Sequence, residues 1–205
     1  MIGPFMSRKG ADSSIFQKAI LLLLLILPDL AHAHEAHGGG GFSSGFLHPL
    51  NGLDHVAAMV AVGLWGAYLG APAVWLLPIT FPVVMALGGA LGIMGVPLPS
   101  VETGIALSAI LLGLMVALAA KPPLWVAGVM VGFFAIFHGH AHGTELPAAS
   151  NAFAYAAGFV ISTGLLHLAG IGFGALAKFP WGGIAIRTGG GVIAALGVCF
   201  LFSFL

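Results

Sequence analysis

Charge is what this sequence has least of. Six basic and six acidic residues make up 6% of its 205 positions, far below the roughly 25% that soluble domains carry. The chain cannot cover a globular surface with water-compatible groups. Its even balance of charge leaves no basic footprint, so no nucleic-acid partner is expected. Cysteine is nearly missing: Cys199 stands alone, which excludes a disulfide framework and a thiolate metal cluster. No G-x-x-x-x-G-K-[ST] segment occurs, so nothing points to ATP-driven work through a phosphate loop.

What remains is oil, glycine and histidine. Hydrophobic residues make up 60% of the chain, and mean hydropathy is +1.10. Nine histidines are a heavy load of the commonest side-chain metal ligand. The composition predicts an all-α membrane protein, with the lipid bilayer as its solvent. Residues 1–33 read as a cleavable signal peptide. Arg8, Lys9 and Lys18 precede the apolar run "AILLLLLIL" (19–27), and Ala31 and Ala33 offer small residues to a peptidase. That run is short of the about 20 residues that a spanning helix needs. A His/Gly-rich extracytoplasmic tail follows over 34–45, and 46–205 form the transmembrane domain.

Apolar runs punctuated by Gly and Pro predict about six spans, near 46–70, 72–95, 100–120, 123–142, 148–176 and 182–204. Short links make a compact bundle of them. Pro49 suits the opening turn of the first. Most of the 32 glycines read as points of close helix approach. After the leader, the basic residues are Lys121, Lys178 and Arg187. All fall in or beside the links that are cytoplasmic if the mature N-terminus is outside. A bacterial cytoplasmic (inner) membrane is therefore expected.

Under that topology the ionisable residues collect at the outer face. In "HPLNGLDH" (48–55), His48 and His55 share a helix face, but their Cα atoms would be about 10 Å apart in a regular helix. One ion with ligands near ~2 Å cannot take both. The segment offers either one site on an irregular turn, which Pro49 and Gly52 permit, or two stations along a path. In "HGHAHGTE" (138–145), His138, His142 and Glu145 form one helical stripe. His140 faces elsewhere, unless Gly139 and Gly143 end the helix and turn it inward. Glu102 opens the third span at the same level. His34 and His37 sit in the tail, in "HEAH", whose spacing is not that of a zinc protease, and read as a loose metal-gathering arm. His167 lies toward the inner half, where a helix–helix hydrogen bond and a transport role both stay open.

Ionisable groups inside a membrane are costly and usually line a pathway. Imidazole with carboxylate suits Ni²⁺, Co²⁺, Zn²⁺ or Cu²⁺ rather than Cu⁺, Mg²⁺ or Ca²⁺. No prosthetic group is expected; the metal is an ion transported or bound. A permease, a non-transporting metal-binding or sensing protein, and an intramembrane metal-dependent enzyme are the readings. The last needs a general base and a substrate cleft that the sequence does not identify.

These motifs resemble those of the HupE/UreJ family of nickel/cobalt permeases. The first, His-Pro-x-x-Gly-x-Asp-His, is met at His48, Pro49, Gly52, Asp54 and His55. The second is met at Phe137, His138, Gly139, His140, His142, Gly143 and Glu145. The resemblance covers the chain in length and span order. It implies a small secondary permease rather than an enzyme, moving Ni²⁺ or Co²⁺ inward, often to supply hydrogenase or urease maturation. The expected metal site comprises His48, Asp54, His55, His138, His140, His142 and Glu145. His34 and His37 gather ions ahead of it, and Glu102 tunes or completes it.

Overall fold

A helix that is apolar around its whole circumference has no face to turn to water, and the long helices of this protein are of that kind. The computed structural model describes residues 41–145 and 151–203. The expected signal peptide, and His34 and His37 of the expected tail, lie outside the described residues. Among the described residues the chain is helical throughout, without strands. The helices are α1 (Phe42–Asn51), α2 (Leu53–Leu69), α3 (Ala73–Ile93), α4 (Val101–Ala117), α5 (Leu124–Thr144), α6 (Ala152–Gly174) and α7 (Gly182–Ser203). A 3-10 turn, Ala175–Lys178, extends α6.

Four of these segments (α3, α5, extended α6 and α7) are each long and apolar enough to cross a membrane. The α1–α2 pair adds a fifth if counted as one span, and α4, with 17 residues, is shorter. This is a multi-pass membrane protein. The first expected span is not continuous: α1 begins at Phe42, and α1 and α2 meet at an 86° bend. Pro49 sits in the last turn of α1, not in an opening turn. It has no N–H to donate, and its ring crowds the carbonyl four residues back, so the helix stops soon after. Gly52 takes an extended conformation (φ −100°, ψ 108°), and α2 restarts with the Val56 N–H donating to the Gly52 carbonyl at 3.0 Å.

At the centre lies α2, packed against α3, α4, α6 and α7. Met59, Val62, Leu64 and Trp65 on α2 are fully buried. Outward, α3 shows Trp75, Ile79, Val83 and Leu87 at four-residue intervals, and α5 shows Trp125, Val129 and Phe133, all more than half exposed. Stripes of that size would be an aggregation surface in water; in lipid they are the solvated face.

Without a hydrophobic drive between helices, close packing has to hold them together, and glycine supplies it. A methyl group on Gly88 or Gly92 of α3 would run into the backbone of α5, and one on Gly139 or Gly143 of α5 into that of α3. Gly63 and Gly170 play the same reciprocal part between α2 and α6, and Gly45 and Gly158 between α1 and α6.

One end of the bundle is tied shut by hydrogen bonds. The carbonyls of Ala117, Ala119 and Ala120, orphans of the end of α4, accept from Arg187 Nε (2.8 Å), the Tyr68 hydroxyl (3.2 Å) and Trp65 Nε1 (3.2 Å). Lys121 lies 5.0 Å from the Tyr68 ring centre. The bundle thus has a basic end and, opposite it, a histidine end.

Candidate metal centre

The bend at Gly52 brings the two halves of the first motif together. With α1 turned across the bundle, His48 in its last turn meets the end of α5, and Asp54 and His55 enter on the first turn of α2. His48 Nε2 stands 3.3 Å from Glu145 Oε2, with side chains 28% and 56% exposed. Ligand atoms of His48, His142 and Glu145 all lie within 4.8 Å of one another. Deeper in, the His142 ring is 4.5 Å from that of His55, and His55 is 4.8 Å from His138. By ring contact the order is therefore His48, His142, His55, His138, from the partly exposed His48 to the fully buried His138, with a carboxylate beside the first and another beside the third.

Hydrogen bonding fixes which imidazole nitrogens keep a free lone pair. A carboxylate only accepts, so the 2.9 Å contact of His55 Nδ1 with Asp54 Oδ1 puts the proton on Nδ1 and leaves Nε2 bare. Asp54 also accepts from the His55 backbone N–H at 2.8 Å and lies in the first turn of α2, where the helix dipole favours negative charge. The Ser108 hydroxyl donates its one proton to the Ile105 carbonyl at 2.6 Å. It must then accept from His138 Nε2–H at 2.9 Å, which leaves His138 Nδ1 bare. His55 Nε2, His138 Nδ1 and both nitrogens of His142 are buried with no hydrogen-bond partner among the described residues. Buried polar atoms rarely go unsatisfied, and such a cluster calls for a ligand that accepts electron pairs.

Aromatic rings close the sides. Phe159 of α6 lies 4.4 Å from His142, and Tyr155 lies 5.8 Å from His48. Phe81 of α3 lies 5.3 Å from His138. Ser108, Tyr155, Phe159 and Phe81 had not been singled out in the sequence. Ser108 and Tyr155 carry a signal there, a hydroxyl inside an apolar run.

Two expected ligands fall outside this group. His140 is turned the other way: its Nε2 donates to the Val96 carbonyl at 2.7 Å, tying the α3–α4 link to α5. Because α5 runs on to Thr144, Gly139 and Gly143 do not fold the helix inward as His140 would have needed; they face α3. Glu102 stays exposed in the first turn of α4, within electrostatic reach of Asp54, Glu145 and His55 but not among the close-set ligand atoms.

Gly52 has a second duty besides the bend. A Cβ there would lie 2.8 Å from Asp54 Oδ1 and 2.9 Å from His55 Nδ1. Gly52→Ala is therefore expected to leave the protein folded yet push this pair out of place, weakening divalent-metal binding by roughly tenfold, as for loss of an orienting partner. Isothermal titration of the purified variant against Ni²⁺ checks this; unchanged affinity would mean that the pair has no part in binding.

The HupE / UreJ protein family matches residues 21–200, a stretch that contains both histidine motifs. The chain belongs to that family. Protein HupE of Rhizobium leguminosarum bv. viciae is 49% identical over 180 residues, 88% of this chain and 94% of that relative. No solved structure matches. For this member of the HupE / UreJ family, the geometry joins the two motifs into one chain of imidazoles running inward from the histidine end.

Proposed function

We propose that the protein is a permease carrying a divalent transition-metal ion, nickel first and cobalt second, inward across the bacterial cytoplasmic membrane. The α1–α2 pair and α4 complete six crossings, the histidine end is extracytoplasmic and the basic end cytoplasmic, in keeping with the positive-inside rule. The observation that carries this reading is the run of bare, buried imidazole lone pairs beside two carboxylates. Imidazole nitrogen with carboxylate oxygen suits Ni²⁺ and Co²⁺. The carboxylates offset the cost of taking a dication out of water.

The ion meets His48 and Glu145 first, where both side chains are still wetted. His142 reaches this pair and also His55, so it can hold the ion while its neighbours exchange. Asp54 keeps the His55 proton on Nδ1 and its free lone pair toward the ion. Each step replaces one ligand at a time, so the ion is not bare between sites, and no site is so closed that release fails. An inside-negative potential assists a dication by about 4.6 kcal/mol per 100 mV for full crossing. Delivered nickel would serve hydrogenase or urease maturation.

The test is uptake of ⁶³Ni²⁺ by liposomes holding the purified protein, with Co²⁺, Zn²⁺ and Cu²⁺ as competitors. The wild type is expected to accumulate label, Ni²⁺ and Co²⁺ to compete best, and Asp54→Ala to lose roughly 10–100-fold in rate through the disoriented His55. Label bound but not accumulated would sink transport in favour of capture alone.

A further inference from the structure

Below the metal centre stands a histidine that it does not use. His167 on α6 is 2% exposed, and neither ring nitrogen has a hydrogen-bond partner among the described residues. The interhelical hydrogen bond that would make it a structural residue is thus not formed there. Its backbone carbonyl abuts Gly63, eight positions beyond His55 on α2 and so about 12 Å deeper along that helix.

The direction of the side chain matters as much as its depth. Helical side chains lean toward the N-terminus of their own helix. The first turns of α6 carry Tyr155 and Phe159 at the histidine end, so His167 leans back toward the metal centre. His138, on a helix of opposite direction, leans down. Both meet Phe81, whose ring centre is 5.3 Å from His138 and 5.5 Å from His167. One turn above His167, Thr163 is buried, with Ser162 beside it, and both hydroxyls lack partners among the described residues. A buried polar stripe therefore continues down α6 from where the imidazole chain ends, across one apolar ring.

We propose that His167, with the Thr163 hydroxyl, is a second coordination station for the divalent ion deep in the membrane, with Phe81 as the gate between it and His138. This rests on the transport reading above. One imidazole with hydroxyls binds more weakly than the imidazole and carboxylate cluster above it, as a station on the release side needs. A phenyl ring between the two breaks the polar path, so that the ion passes only when the ring moves aside.

Two substitutions separate a ligand from a structural residue. His167→Gln keeps size and hydrogen bonding but ligates poorly; His167→Cys ligates but cannot span the same hydrogen bonds. Both are made with Cys199→Ser, which removes the exposed native thiol, and reconstituted at full length in liposomes. Uptake of ⁶³Ni²⁺ is expected to fall about tenfold in Gln. The Cys variant should retain most of the transport and let the softer Cd²⁺ compete better than in the wild type. Equilibrium binding of Ni²⁺ at the upper centre should be unchanged in both. Wild-type uptake in Gln would overturn the station, as would a Cys variant no better than Gln when both elute as the wild type does. Thr163→Val, nearly isosteric, gives an independent reading: slower uptake supports the station and undiminished uptake overturns it. A wild type that accumulates no label would bring down the permease reading and this proposal together, whereas active wild type and active variants bring down the station alone.

Discussion

His142→Ala is expected to cost more transport than any other single change at the centre, at least roughly 100-fold, above the 10–100-fold typical of residues that merely orient a ligand. Its ring joins the outer and inner parts of the imidazole chain, 4.8 Å from His48 and 4.5 Å from His55, and neither of its nitrogens has a hydrogen-bond partner among the described residues. Removing it separates the surface pair from the inner pair, so the ion would have to shed ligands before gaining new ones. His48→Ala, by contrast, removes only the first contact and should act mainly at low metal concentration. Initial rates of ⁶³Ni²⁺ uptake over a range of concentrations distinguish the two: His142→Ala lowers the maximal rate, and His48→Ala raises the concentration needed to reach it. Equal effects from both would contradict the handover order.

Gly139→Ala is expected to prevent the α3–α5 contact from forming, although it adds a single methyl group. That methyl would overlap the Met85 carbonyl and press on the Gly89 amide. The atoms in the way are backbone, so the helices themselves must part. The cost should exceed the roughly 1–3 kcal/mol typical of overpacking against side chains that can yield. The expected result is little monodisperse protein in detergent and a lowered melting temperature for what remains. Gly128→Ala on the same helix is the control, since its methyl would meet only Leu76 Cδ2 at 3.9 Å. A Gly139→Ala protein as stable as that control would show that the contact is not what sets the helix spacing. Because Gly139 lies between His138 and His140, any rotation of α5 that relieves the overlap also swings the histidine stripe away from α2.

How much could be read in advance depended on whether the controlling physics was local. Sparse charge and abundant apolar residues require a membrane as solvent, and backbone groups in lipid must pair within their own segment, so an all-α fold was legible. Helical spacing placed His138, His142 and Glu145 on one stripe, and the structure has them so. It also left two arrangements for His48 and His55. The 86° bend is the irregular turn, and His142 from another helix stands against both His48 and His55. The facing of His140 was not legible, because it depended on whether α5 ended at its glycines. Ser108, Tyr155, Phe159 and Phe81 were not legible as neighbours of the histidines either.

The amino-acid order alone thus determined the solvent, the helical class and the ionisable side chains available, since each follows from composition or from residues a turn apart. Only the tertiary structure decided which imidazoles face each other and which nitrogens stay bare. In a helix apolar all round, no polar face announces which side turns inward. That choice falls to backbone contacts such as Gly139 against Met85, between residues far apart in the chain.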